Sequence, residues 1–593
     1  MAKTETGPDA VAQFERVTEV AGKAQQMMLE FWTGEGGKLA GEVNSPDSLG
    51  QLIDVWGDWA KAWAGADATQ LVKLTGDYWT DAMKLWAGLF LGKPESVPDI
   101  VLAEDKRFKG DSWESAPVFD LVRKSYLLAS HYVGEGLGTF QNLTDEERKR
   151  LSFQAKQFVD AMSPANFATL NPDVIAAAQA TDGESLLKGL RHLLDDLKRG
   201  KMSMTDEGAF EVGRNVAATP GQVIWEGRLF QLIHYAPTTE TVFETPLLIL
   251  PPWINKFYIL DLTPEKSFIR WAVEQGLSVY VVSWAQGSEA LKDVGLEDYA
   301  VEGELQAIDL VLKASGAQST HVIGYCVAGT VLAATLAYMA ATGQAEKVAS
   351  ATFFTAQVEF SDAGDLLNFV TPSMLETVDQ LAAKDGYLDG RWLSTTFNML
   401  RPTDLLWNYV VNNYLQGKDY SAFDLLYWNS DPTNVPGRFM TEYLAGLYRD
   451  NKLVVPDALE ADGTPIDLTS VATPSFVQAG REDHIAPAES VWRITKHFTG
   501  PVDFLLAGSG HIAGVVNPPS AGKYQYWVGD SHAPSLKDFI AGATEHPGSW
   551  WPHWLAWLHR QSEARVPATG KRMPGGKGDR VIEDAPGRYV KTR

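Results

Sequence analysis

The spacing of apolar positions changes character at about residue 205, and that change divides the chain. From about Ala10 to Phe90 the period is helical, with Trp56, Trp59 and Trp63 at i, i+3 and i+7 on one face. Gly92-Lys93-Pro94 through Val97-Pro98 reads as a connector, and Asp105 to Trp113 is polar with aromatic anchors. Phe119 to Val133 returns to helical period. Thr144-Asp145-Glu146-Glu147 is a capping box opening a helix that ends near Ser163-Pro164, and a further helix is predicted from about Gly183 to Arg199. Residues 1–205 are therefore expected to form an all-helical N-terminal domain.

Beyond that point strands and helices alternate. Val223 to Ile233 reads as two short strands about a glycine turn, and Leu247 to Leu250 as a buried strand stopped by Pro251-Pro252. A helix over Pro264 to Gln275, a strand over Ser278 to Ser283 and a helix from about Glu304 to Ala314 follow. Then come a strand at Thr320 to Tyr325, an Ala- and Leu-rich helix at Val327 to Ala341, and a strand at Ala349 to Phe354. Such alternation implies a parallel sheet with helices on both faces. Between about Val358 and Leu453 it lapses into a helical, aromatic insertion, read as a cap or lid at the carboxyl end of the sheet. Pro474 to Val477 and Val502 to Leu506 resume the sheet. The second domain is thus expected over residues 206–593, with its cap at about 358–453.

Composition narrows the function. The 593 residues carry a formal charge of -24, which argues against a general affinity for nucleic acid or anionic lipid. No apolar run reaches the length of a membrane span, and the first residues show no apolar export signal. The single cysteine excludes an intramolecular disulfide and a Cys-rich zinc site, and favours a reducing compartment, with the cytoplasm as the default. Six of the 20 tryptophans, Trp32, Trp56, Trp59, Trp63, Trp79 and Trp86, fall in the first hundred residues. They suit a helix–helix seam; a surface for lipid, polymer or partner is the alternative.

That lone cysteine, Cys326, sits between the strand Thr320 to Tyr325 and the helix that follows, with Gly324 and Gly329 flanking it. A sharp strand-to-helix turn lifts a nucleophile above the sheet, and the backbone N–H of the next residue, Val327, helps to form an oxyanion hole. The unpaired amides and dipole of the helix also stabilise a thiolate there. After the two late strands come Gly480-Arg481-Glu482-Asp483-His484 and Gly508-Ser509-Gly510-His511. The order nucleophile, acid, histidine is that of an α/β-hydrolase triad, and Cys326, Asp483 and His511 fit it. Glu482 and His484 are neighbouring rivals. In this fold the second oxyanion donor comes from the loop after the third strand, so a backbone N–H of Trp253 or Ile254 is the candidate.

In combination several motifs resemble the polyhydroxyalkanoate synthases, most nearly their single-subunit, class I type. They are Gly324-Tyr325-Cys326-Val327, Pro251-Pro252 with Ile254 to Leu262, Arg481 to Ile485, Gly508 to Pro519, Gly548 to Pro552 and Ala585 to Lys591. The resemblance implies an α/β-hydrolase fold and polymerisation of (R)-3-hydroxyacyl-coenzyme A, with short acyl chains such as 3-hydroxybutyryl favoured. The thiolate would take the acyl group, coenzyme A would leave, and the hydroxyl of the next unit or chain end would attack the acyl-enzyme. It further implies no metal or cofactor, a homodimer, and residence at the surface of cytoplasmic polyester granules, with the N-terminal region linked to dimerisation and granule contact. A cysteine-dependent acyl-CoA thioesterase of the same fold is the competing expectation. Three places depart from the family pattern: Ala328 stands where the nucleophile box usually has glycine, Trp253 occupies a variable place, and Ser283-Trp284-Ala285-Gln286-Gly287 replaces the usual S-W-R-N-P. The Ala328 methyl is expected where helix packs on strand.

Overall fold

The computed structural model describes residues 23–24, 26–27, 57–90, 99–102, 104–576 and 580–592. Trp32 and Trp56 lie outside the described residues. The chain divides into two compact units, one of residues up to Met204 with Phe397–Ser421, the other of Thr205–Thr396 with Ala422–Arg593.

In the first unit the main helices are Ala68–Phe90, Pro117–Leu137, Asp145–Ala161 and Glu184–Arg199. The capping box forms as its residues predict. The Thr144 hydroxyl accepts from the Glu147 amide at 3.2 Å and the Glu147 carboxylate accepts from the Thr144 amide at 2.8 Å. Trp59 and Trp63 both meet the Phe140 ring edge-on, at 6.4 and 5.4 Å. The seam they make is incomplete: Trp63, Trp79 and Trp86 are each more than half exposed. Trp59, Trp63, Leu74, Tyr78, Phe140 and Phe158 help to line an apolar groove of about 860 Å³. Residues 397–421, which fall inside the stretch read as a cap, cluster with these helices. Gly189 makes that possible, since a Cβ there would come within 1.9 Å of the Tyr414 carbonyl oxygen. Buried Asp196 accepts hydrogen bonds from the Tyr414 and Ser203 hydroxyls at 2.7 and 2.6 Å.

The second unit is built on an eleven-stranded sheet. Its strands in chain order are β1 (Gly221–Glu226), β2 (Phe230–Tyr235), β3 (Leu247–Leu250), β4 (Val279–Trp284), β5 (Thr320–Tyr325) and β6 (Val348–Phe354). They continue with β7 (Ser475–Gly480), β8 (Val502–Ala507), β9 (Gln525–Val528), β10 (Thr544–Pro547) and β11 (Glu583–Asp584). Across the sheet the order is β10-β9-β8-β7-β6-β5-β3-β4-β2-β1-β11. The strands β3 to β8 are parallel to one another, as the alternation predicts. Both flanks are antiparallel, and β1 and β2 form the hairpin read about the glycine turn. β9, β10 and β11 are short and mostly half-buried or exposed, so they lack the continuous apolar run that marks a strand covered on both faces.

Two helices also differ from their expected bounds. That expected from Pro264 begins at Phe268, because Ser267 caps it, its hydroxyl accepting from the Arg270 amide at 2.8 Å. That expected from Glu304 begins at Leu296 and runs through a π-helical stretch, Tyr299–Leu305, before regular helix at Gln306–Ser315. Trp550, Trp551, Trp554 and Trp557, at the start of and along the helix Trp551–Gln561, are all buried. Trp551 and Trp554 pack on Phe268, and Trp550 on Phe354, which ends β6.

Two buried contacts seat the helix Val327–Ala341. At its start, a Cβ on Gly324 would meet the Gly329 Cα at 2.6 Å, and one on Gly329 would meet the Ala356 Cβ at 2.4 Å. Gly329, rather than Ala328, is therefore the position at which helix packs on strand; Ala328 is fully buried without occupying that contact. Further along, the Thr335 hydroxyl donates to the Glu304 carboxyl at 2.8 Å. Glu304 has no exposure, and its Oε1 meets no hydrogen-bond partner.

Gly329→Ala is expected to cost about 1–3 kcal/mol, because the atoms it would strike belong to backbone and a short side chain. Urea denaturation would read the loss, and an unchanged midpoint would show that the helix shifts freely. Burial holds the Glu304 carboxyl well above its ordinary value of 4.5, against the bond from Thr335. A folded-state value raised in this way favours the fold at acid pH and withdraws that support as pH rises above 4.5. Glu304→Gln, which cannot ionise, should therefore gain in Tm over the native protein progressively with pH; parallel Tm curves would contradict it.

Candidate active site

Cys326 has φ 54° and ψ -126°, a conformation that non-glycine residues avoid and that a packed surrounding must impose. The strand holds it on one side, its amide donating to the Phe354 carbonyl of β6 at 2.9 Å. The helix holds it on the other, its carbonyl accepting from the Thr330 amide at 3.1 Å. Val327, buried, supplies the first amide of the helix, one of the four with no acceptor inside it. The strand and helix around Cys326 have the predicted bounds, Thr320–Tyr325 and Val327–Ala341.

Asp483 and His511 come from the loops after β7 and β8. The Asp483 side chain is fully buried. Its Oδ1 accepts from the Ile485 and Ala486 amides at 2.8 and 2.9 Å, leaving Oδ2 for His511 Nδ1 at 2.7 Å. Glu482, in contrast, is exposed, so the fold brings Asp483 and not its neighbour to the histidine. His484 is half-buried. The Tyr325 hydroxyl donates to the His511 carbonyl at 3.1 Å, which ties the histidine loop to the residue before Cys326. Cys326 lies close enough to His511 to act on its charge. Burial works against a charged imidazole here. The charge of Asp483 and then that of Cys326, with the hydrogen bond to Asp483, outweigh it and push His511 up to about 10.

The loop after β3, Pro251 to Lys256, lies against an aromatic wall. Trp253 stacks face to face on Tyr299, with centroids 3.9 Å apart, and meets Phe439 and Trp284 edge-on at 5.2 and 5.1 Å. The Trp284 indole N–H donates to the Pro251 carbonyl at 2.7 Å. The stretch Ser283 to Gly287, where the family pattern lapses, thus anchors this loop through its tryptophan. Phe439 in turn stacks on Tyr443, and Tyr443 meets the Tyr448 ring edge-on at 5.3 Å. The Gln357 amide donates to the Tyr448 hydroxyl at 3.1 Å. Burial raises both phenols, and the charge of Cys326 adds to it, so this pair lies within electrostatic reach of the cysteine. Sequence reasoning missed Tyr443 and Tyr448. Five residues apart on a π-helical stretch, Glu442–Arg449, they show no period that would single them out.

Among the described residues no group of three or more His, Cys, Asp or Glu could hold a metal ion. What the arrangement offers is a cysteine at a helix N-terminus, a histidine beside it, and a buried carboxylate that orients the histidine. That is the equipment of acyl transfer through a thiol.

Comparison with known proteins identifies the family. Residues 104–272 match the family model described as the poly-beta-hydroxybutyrate polymerase (PhaC) N-terminus, and residues 251–518 that of the α/β-hydrolase fold. The chain is 45% identical over 517 residues to a poly(3-hydroxyalkanoate) polymerase of Methylorubrum extorquens, covering 86% of this chain and 85% of the relative. It is 43% identical over 529 residues to a poly(3-hydroxyalkanoate) polymerase subunit PhaC of Rhizobium meliloti, covering 88% and 85%. To the corresponding subunit of Cupriavidus necator it is 40% identical over 565 residues, covering 91% and 95%. Identity at this level over most of both chains shows that this chain belongs to the poly(3-hydroxyalkanoate) polymerases, acyltransferases on an α/β-hydrolase fold.

Proposed function

We propose that the chain polymerises (R)-3-hydroxyacyl-coenzyme A, with short acyl groups such as 3-hydroxybutyryl, through a thioester on Cys326. The observation that carries this reading is the 2.7 Å bond from buried Asp483 to His511, whose imidazole lies within electrostatic reach of Cys326 on its strand-to-helix turn. The Cys326 thiolate attacks the thioester carbonyl carbon. The oxygen gains negative charge, which the amides of Val327 and of Trp253 or Ile254 receive. The carbon–sulfur bond to coenzyme A then breaks, and His511 gives its proton to the departing thiolate.

Acylation removes the charge of Cys326, one of the influences that raise the histidine. The value of His511 falls in the acyl-enzyme, and the imidazole becomes a base for the second half-reaction. It takes the proton of a 3-hydroxyl group, of the growing polyester or of the next monomer, as that oxygen attacks the acyl-cysteine. Cys326 leaves as thiolate, and Asp483 supports the imidazolium in both steps. The buried aromatic wall of Trp253, Tyr299, Phe439 and Tyr443 supports transfer to a bound hydroxyl rather than to water. The reaction uses no metal and no cofactor beyond the coenzyme A thioester that is its substrate. The exposed Trp63, Trp79, Met83, Trp86 and Phe158 suit contact with an apolar polyester granule, and the protein works there in the cytoplasm as a homodimer.

Incubation with (R)-3-hydroxybutyryl-coenzyme A should release thiol and form sedimentable polyester together, and Cys326→Ala should abolish both. Thiol with only free hydroxy acid would make the protein a thioesterase instead. Asp483→Asn removes the strongest influence that raises His511. It should lower the burst of coenzyme A release by roughly 100-fold or more and move the alkaline limb of its pH profile from the region of about 10 towards neutrality. An unmoved limb would remove Asp483 from the mechanism.

A further inference from the structure

Lys256 ends the loop that carries the Trp253 and Ile254 amides, and it is buried. Its side chain is 5% exposed, and its ammonium lies 3.0 Å from Asp431, whose side chain is 8% exposed, in the returning part of the cap insertion. The same ammonium donates to the Thr592 carbonyl at 2.8 Å. Asp431 also accepts from the Tyr258 hydroxyl at 2.9 Å. The backbone around this pair is stitched to the same segments. The Trp428 indole N–H donates to the Lys256 carbonyl at 2.7 Å, the Thr433 amide donates to the Ile254 carbonyl at 3.3 Å, and Asn255 forms an isolated bridge with Pro432.

The segment that supplies Thr592 is itself tied down. β11 pairs with β1, the Tyr589 hydroxyl donates to the Gly227 carbonyl at 2.8 Å, and Val590 is buried. Three stretches distant in sequence, at 253–258, 428–433 and 589–592, therefore converge on one ammonium. A buried ion pair adds little stability over an apolar pair of the same volume, so its worth lies in the geometry it imposes.

We propose that Lys256 is a positioning residue of the polymerase reaction. It draws the 428–433 segment and the 589–592 segment onto the loop after β3 and so fixes the Trp253 and Ile254 amides where charge develops on the thioester oxygen. This rests on the reading of those amides as oxyanion donors. Lys256 touches no substrate in this role; it acts through the loop.

The test compares ligands that do and do not place an oxyanion in the hole. A thioether analogue of the substrate cannot form one, whereas 3-hydroxybutyraldehyde adds to the cysteine thiol as a hemithioacetal whose oxygen occupies the same place. In the double variant Lys256→Met, Asp431→Asn no lone charge is left buried, and Tyr258 keeps an acceptor. This variant should keep its Tm and hold the thioether within about twofold of the native affinity. It should lose roughly 10- to 100-fold in both the burst rate and the aldehyde affinity, in step. A folded variant with both unchanged, or with thioether affinity falling as far as aldehyde affinity, overturns the proposal. Should the double variant not fold, Lys256→Arg keeps the charge but alters its reach, and is expected to lose about fivefold or more in aldehyde affinity at unchanged Tm. No loss in that variant overturns the proposal equally. Native protein that captures the aldehyde no more tightly than a simple thiol would sink the oxyanion assignment itself and the role of Lys256 with it. Tight native capture with indifferent variants sinks Lys256 alone.

Discussion

The close approach of β5 to the helix after it governs the active site. Gly324 and Gly329 come so near that neither can carry a side chain, and Cys326 must turn through a positive φ within that space. Because the strand enters fully buried and the helix leaves fully buried, the turn cannot relax by sliding either element. The neighbouring strands then do the rest. β7 and β8 run parallel to β5 and end on the same side, so the loops that follow them reach Cys326 without long excursions. Carboxylate, imidazole and thiol are assembled by strand order alone.

Electrostatics at this junction is a contest between burial and charge. His511 is buried, which disfavours its charged form, yet the charge of Asp483, with that of Cys326, prevails. Asp483 can play its part because two backbone amides compensate one carboxylate oxygen and leave the other to the histidine.

Much of this was legible from residue types. A strand covered on both faces is a continuous apolar run, so β3, β5 and β6 announce themselves, and an Ala-rich stretch after a glycine-flanked cysteine marks the elbow. The order of Cys326, Asp483 and His511 follows from the strands. What could not be read depends on partners remote in the chain. Lys256 carries no mark of burial until Asp431 and Thr592 arrive beside it, and Tyr443 and Tyr448 sit on a π-helical stretch whose period matches no standard pattern. The stretch 397–421 reads as part of a cap, but a notch at Gly189 receives Tyr414 and joins it to the helical unit. The flanking strands β9 to β11 are too short and too polar to stand out.

Those same flanking strands decide how copies of the chain can meet. One border of the sheet is the brief Glu583–Asp584, the other Thr544–Pro547, where a proline without an amide proton closes a strand that also carries Glu545 and His546. Borders so short, polar and interrupted offer no template for a further strand. The sheet is thereby insulated from growth by accretion of further strands even when many molecules crowd together.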